Sequence, residues 1–164
     1  MREARIGELL VAAGVLNETQ VEAILEQQRV SSEPFGLLSE RLFNIDGRLI
    51  EQAWARQYSS LTRLVDPITE VYDERATALV TRRQAWQFRV LPIRFDGADL
   101  MIATAEPFIC RALGFITHVI GVSSYLVLAD PRRLGETLCR LYAFPGLTPA
   151  AVLEGGERWA RRSD

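Results

Sequence analysis

Lysine is absent: all 19 basic residues are arginine, set against 21 acidic ones. The phosphate-cradling pattern GxxxxGK followed by Ser or Thr therefore cannot occur, and the chain is not itself a P-loop nucleotidase. A GC-rich genome would account for the arginine bias equally well. Histidine occurs once, as His118, and neither HExxH nor CxxC is present, so a zinc site has no ligand set. The only two cysteines, Cys110 and Cys139, have no paired spacing and read as buried thiols of a reducing compartment. Long hydrophobic runs are also missing. No stretch of about 20 apolar residues could span a bilayer, and residues 1–25 lack the layout of a signal peptide. The expected location is cytoplasmic, extending to the inner face of the inner membrane.

What remains is a chain of 164 residues that is 48% apolar, enough for one medium domain or two small ones with a real core. A net charge of −2 argues against a nucleic acid polymer, which needs a basic face to neutralise many phosphates. It leaves room for a small anion held by one or two arginines. No nucleophile elbow occurs, since Gly121-Val122-Ser123-Ser124 lacks its second glycine. His118 lies in the apolar run Phe115 to Ile120 and reads as a helix-end residue. With no nucleophile, base or metal set, no catalytic residue, metal or cofactor is expected.

A repeat organises the first 58 residues. Shifting residues 5–28 by 29 positions aligns them with 34–57, pairing Gly7 with Gly36, Leu9 with Leu38, Glu22 with Glu51 and Gln28 with Gln57. Leu16 with Ile45, Asn17 with Asp46 and Val21 with Ile50 are conservative matches. Each unit parses as a short helix, a tight turn and a longer helix. In the first, Ile6, Leu9, Leu10 and Ala13 fall at helical spacing and Gly14 supplies the C-cap. Asn17, with Gln20 three residues on, forms a capping box that starts the second helix. Val21, Ile24, Leu25 and Gln28 line its inner face. In the second unit Asp46 is the N-cap, with Ile50, Ala53, Trp54 and Gln57 inward.

The remainder changes character. Residues 59–88 read as a connector with a helix after Asp73 and another over Thr81–Gln87. Val90, Ile93 and Phe95 belong to a strand ending at an Asp96-Gly97 turn, and Leu100–Thr104 is its hairpin partner. Pro107 suits a helix start, Ser124–Ala129 is a third strand, and Asp130-Pro131 caps a last helix to about Tyr142. The expected fold class is α+β: an N-terminal helical repeat of two helix-turn-helix units over 1–58, then a ββαβα subdomain over 89–142. Pro145, Pro149 and Gly155-Gly156 mark 143–164 as a loose tail.

The 5–28 unit resembles the motif that opens the regulatory N-terminal domains of type II secretion and type IV pilus assembly ATPases, often called MshEN domains. The pattern RLGxxL, an apolar residue, xxG, L and an amphipathic helix ending in Gln stands here as Arg5, Ile6, Gly7, Leu10, Val11, Gly14, Leu16, Val21, Leu25 and Gln28. Residues 84–142, from LPIRFDGADLMIATAEP to ADPRRLGETLCRLY, resemble the family's second subdomain, so the likeness covers about 5–142. It implies binding of the bacterial messenger cyclic di-GMP on a surface made by both repeats, which adds Gly36, Leu38, Ile50, Trp54 and Gln57. Arg5 would fork onto guanine O6/N7 or grip a phosphate. Glu106, standing for the family's acidic residue before a proline, would accept from guanine N1 and N2.

Three departures weaken the second repeat: Pro34 stands at the arginine position, Ser39 at that of Leu10 and Phe43 at that of Gly14. Trp54 reads as either a base-stacking indole or a core one. The resemblance also implies control of a secretion, pilus or exopolysaccharide machine through a membrane-associated partner. That partner would be a secretion, pilus or glycosyltransferase component, and related domains are tails on phage N4 receptor-like glycosyltransferases. The alternative is a protein-docking adaptor that no longer binds nucleotide.

Overall fold

The computed structural model describes residues 5–61 and 63–153. Four helices carry the repeat: α1 (Ile6–Ala12), α2 (Glu18–Ser31), α3 (Phe35–Phe43) and α4 (Gly47–Leu61). The start of α2 is fixed as its sequence predicts. Asn17 Oδ1 accepts the Gln20 N–H at 2.8 Å, and Gln20 Oε1 accepts the Asn17 N–H at 2.9 Å. Asp46 does the same for α4, accepting the Arg48 N–H at 2.9 Å. The two turns differ. After α1 the left-handed residue is Gly14, at φ +71. In the second unit Phe43, at the Gly14 position, remains helical, and Asn44 takes the left-handed conformation at φ +54. Asparagine tolerates that region better than most residues with a side chain.

The second half forms a four-stranded sheet of β1 (Leu64–Val65), β2 (Leu91–Asp96), β3 (Asp99–Thr104) and β4 (Ser124–Ala129), in the order β1-β4-β3-β2. β2 and β3 are an antiparallel hairpin around Gly97, while β3 and β4 are parallel. A parallel pair needs a crossover, supplied by a 3₁₀ turn (Glu106–Phe108) and α7 (Ile109–His118). Short helices α5 (Glu74–Thr77) and α6 (Arg82–Phe88) lie between β1 and β2, and α8 (Pro131–Leu141) follows β4. Asp130 caps α8 through the Arg132 and Arg133 amides. The unexpected strand is β1, drawn from the connector and paired parallel to β4. Two residues carry no alternation from which to predict a strand.

All of β4 and residues 100–104 of β3 are buried, so both sheet faces are covered. The repeats reach the sheet through α7, against which α3 and α4 pack. The approach is very close at Gly36, where an added Cβ would lie 2.1 Å from Thr117 Cγ2 and 3.0 Å from the Thr117 carbonyl oxygen.

The expected loose tail is corrected up to residue 153. Val152 is fully buried, a Cβ on Gly135 would meet the Pro149 carbonyl oxygen at 2.4 Å, and Arg89 donates to the Ala151 carbonyl at 3.1 Å. Residues 154–164, including Arg158 to Arg162, lie outside the described residues. The cysteines are free, but Cys110 is exposed rather than buried, and Cys139 is half-buried with its thiol pushed up by desolvation. Among the described residues no helix is long and apolar enough to cross a membrane.

Candidate functional site

A cavity of about 370 Å³ opens where α1 and α2 meet α7 and the start of β4. That volume falls within the roughly 300–1,000 Å³ typical of small-molecule sites. Its apolar lining comes from Ile6, Val11, Val21 and Leu25 of the first repeat, Phe35 and Trp54 of the second, and Ile116, Ile120 and Val122 of the sheet subdomain. The repeat explains part of this composition. Phe35 is the 29-shift equivalent of Ile6, and Trp54 that of Leu25, so two matched pairs from the two units face one space. The indole is a core residue at the floor, fully buried. Its Nε1 donates to the Ile6 carbonyl at 3.0 Å, and its ring lies 5.8 Å from that of Phe35.

The polar groups are unevenly distributed. Arg5 is the single cation among the described residues that line the cavity, joined by Glu8, Glu18, Glu22, Gln28, Ser123 and Ser124. Arg5 precedes α1 in extended conformation, with its backbone N–H donating to Glu8 Oε2 at 2.9 Å. Its Nε lies 3.1 Å from Asp99 Oδ2 at the start of β3, with half of the Arg5 side chain exposed. One edge of the guanidinium is thus engaged by the sheet subdomain while the residue stays at the cavity mouth. Gln28 Nε2 donates to the Glu33 carbonyl at 3.1 Å, which leaves its amide oxygen to accept.

Of the sixteen residues singled out from the sequence, eight line this cavity: Arg5, Ile6, Gly7, Val11, Val21, Leu25, Gln28 and Trp54. The structure assigns the others elsewhere. Leu10, Leu38 and Ile50 are fully buried and Leu16 nearly so, all in the core between helices. Gly36 abuts Thr117. Gly14 is an exposed turn residue. Gln57 borders a separate depression beside Ala13, Asn44 and Leu49. Glu106 is an exposed residue of the 3₁₀ turn and does not line the cavity. Carboxylates do reach the site, but from Glu8, Glu18 and Glu22. Glu18, Glu22 and Leu25 are spaced by four and three along α2, which puts them on one helix face, so this part was readable. Phe35 was readable from the 29-residue shift. Asp99 and Ile116 to Ser124 carried no sequence signal, because only the docking of the two halves brings them to Arg5.

Behind the cavity α4 and α7 share a charged contact, with His118 Nδ1 3.2 Å from Glu51 Oε1. Burial pushes the Glu51 carboxyl above its ordinary range, and His118 opposes this more weakly. A carboxyl with a raised folded pKa holds its proton more tightly folded than unfolded. Its contribution to stability is therefore expected to fall as pH rises from the ordinary glutamate range through the raised value. In urea unfolding across about pH 4–7, a window that starts at the glutamate reference near 4.3, the stability of the parent relative to Glu51→Gln should fall as pH rises, and parallel profiles would contradict this.

No curated protein registers as a match to the chain. A solved structure described as MshE with cdg is similar, at 24% identity over 85% of this chain and all of that one, with a TM-score of 0.45. The family model of the MshEN domain matches residues 59–146, which begin where the helical repeats end and take in the whole sheet. With more than half of its residues matched, the chain belongs to the MshEN domain family.

Proposed function

We propose that this domain is a non-catalytic regulatory module that binds cyclic di-GMP in the cavity between its two halves. The reading rests chiefly on one observation: equivalent residues of both repeats, Ile6 with Phe35 and Leu25 with Trp54, face a single space with Arg5 at its mouth. A ligand built from two like halves suits a site built from two like units. The apolar walls take the flat faces of the bases. Arg5 offers a guanidinium for guanine O6/N7 or a phosphate, and the carboxylates of Glu18 and Glu22 are acceptors for the N1 and N2 hydrogens of guanine. Such binding calls for no cofactor or metal beyond the messenger itself.

Binding would act on a machine only if one arrangement of the two halves binds more tightly than another, and the cavity's position across both halves supplies that dependence. The machine in this proposal is a secretion, pilus or exopolysaccharide assembly engaged from the cytoplasmic side of the inner membrane. Isothermal titration with cyclic di-GMP is expected to give saturable heats, with GTP as an inactive control. Arg5→Ala is expected to weaken binding by about 1–3 kcal/mol while the far-UV circular dichroism stays unchanged. Absence of heat with the parent protein would return the domain to the docking-adaptor reading.

A further inference from the structure

We infer that the site reads only one of the two bases, so that it accepts a hybrid cyclic dinucleotide carrying one guanine and one adenine nearly as well as cyclic di-GMP. The inference rests on the cyclic di-GMP reading and sharpens it to a ligand class. Its basis is the asymmetry between two positions that the fold makes equivalent. Arg5 and Pro34 are related by the 29-residue shift, and each caps the first helix of its unit in the same backbone conformation, φ −70, ψ 154 and φ −60, ψ 146. Where the first unit presents a guanidinium, the second therefore presents a ring with no hydrogen-bond donor. Among the described residues that line the cavity no second guanidinium replaces it. Arg41, the one cation of α3, is held bidentately by Glu33 at 2.7 and 2.6 Å. The second unit contributes only Phe35 and Trp54 to the lining, and the Trp54 N–H is already committed to the Ile6 carbonyl.

A guanidinium discriminates guanine by forking onto two acceptors, O6 and N7, whereas adenine presents a donor beside its N7. An apolar wall makes no such distinction, because every base offers a flat face. Guanine at the Arg5 end is read by a guanidinium fork, whereas the base at the Phe35 end meets no guanidinium and is read chiefly by its shape. Cyclic di-GMP satisfies the first requirement in either orientation and the hybrid in one, a statistical difference of about twofold.

The test is parallel titration of the full 164-residue chain with cyclic di-GMP, the 3′,3′-linked guanine–adenine hybrid and cyclic di-AMP. The hybrid is expected to bind within about fivefold of cyclic di-GMP, and cyclic di-AMP about 5- to 150-fold more weakly. Arg5→Ala should narrow the spread between the three, leaving only the guanine preference that the Glu18 and Glu22 carboxylates supply. Pro34→Arg, which places a guanidinium at the equivalent cap, should favour cyclic di-GMP over the hybrid by about fivefold or more. Cyclic di-GMP binding with the hybrid about 30-fold weaker or worse would overturn this inference and leave the reading beneath it standing. Failure of the parent protein to bind any of the three would overturn both.

Discussion

Trp54→Ala is expected to lower the unfolding free energy by about 3–5 kcal/mol, the range for deleting a fully buried large aromatic side chain. Three observations set the expectation at that level. The indole has no exposed surface, its ring meets that of Phe35 at 5.8 Å, and its N–H satisfies the Ile6 carbonyl across 48 residues of chain. Truncation leaves a void beside the cavity and removes that hydrogen bond between the two repeats. For a domain of this size the loss corresponds to a fall in Tm of roughly 6–20 °C, measurable by calorimetry. Trp54→Phe keeps most of the volume but not the donor, and it should cost distinctly less. If Trp54→Ala unfolds within a degree or two of the parent, the indole does not hold the two repeats together. Ligand affinity is not the readout here, because removing the floor of the cavity would change it for structural reasons alone.

Gly36→Ala is the second large expectation, a loss of about 2–3 kcal/mol. Alanine normally gains on glycine within a helix, by up to about 1 kcal/mol. Here the gain is overwhelmed, because the new Cβ would sit 2.1 Å from Thr117 Cγ2 and 3.0 Å from the Thr117 carbonyl oxygen. Either α3 lifts from α7 or the Thr117 side chain turns away, and both disturb the contact between repeats and sheet. Thr117→Ser removes the clashing methyl and leaves the carbonyl contact. In the double variant about half of the loss should therefore return, a coupling of order 1 kcal/mol in a double-mutant cycle. Purely additive effects would mean that the cost lies in the backbone approach or in helix propensity, not in the methyl. The glycine of the repeat has thus been kept for two different neighbours. Gly7 makes room for Val21 within its own unit, and Gly36 makes room for the other half of the protein.

The secondary structure was legible wherever it is set locally. Asn17 with Gln20, Asp46, Asp73 and Asp130 each hydrogen-bond an amide two or three residues away, and the hairpin turns on Gly97 between two short apolar strands. Such interactions depend on residues adjacent in sequence, so spacing alone reveals them. The 29-residue repeat was legible for a related reason: each unit needs the same apolar face and the same caps to form the same pair of helices. Those local rules delimited the helices of the repeat, the hairpin and the closing helix, and the motif they carry pointed to the family.

Tertiary structure decided what lies next to what. It paired Arg5 with Asp99, 94 positions away in the chain, and set α7 as the far wall of the cavity. It drew Leu64–Val65 to the edge of the sheet and folded residues 144–153 back onto α8. It also moved Leu10, Leu38 and Ile50 from expected ligand contacts into the core, and left Glu106 outside the site. An amphipathic helix shows in its sequence which face is apolar but not whether that face meets another helix or a ligand, since both bury the same kind of surface. Only the packing of the two halves separates those outcomes.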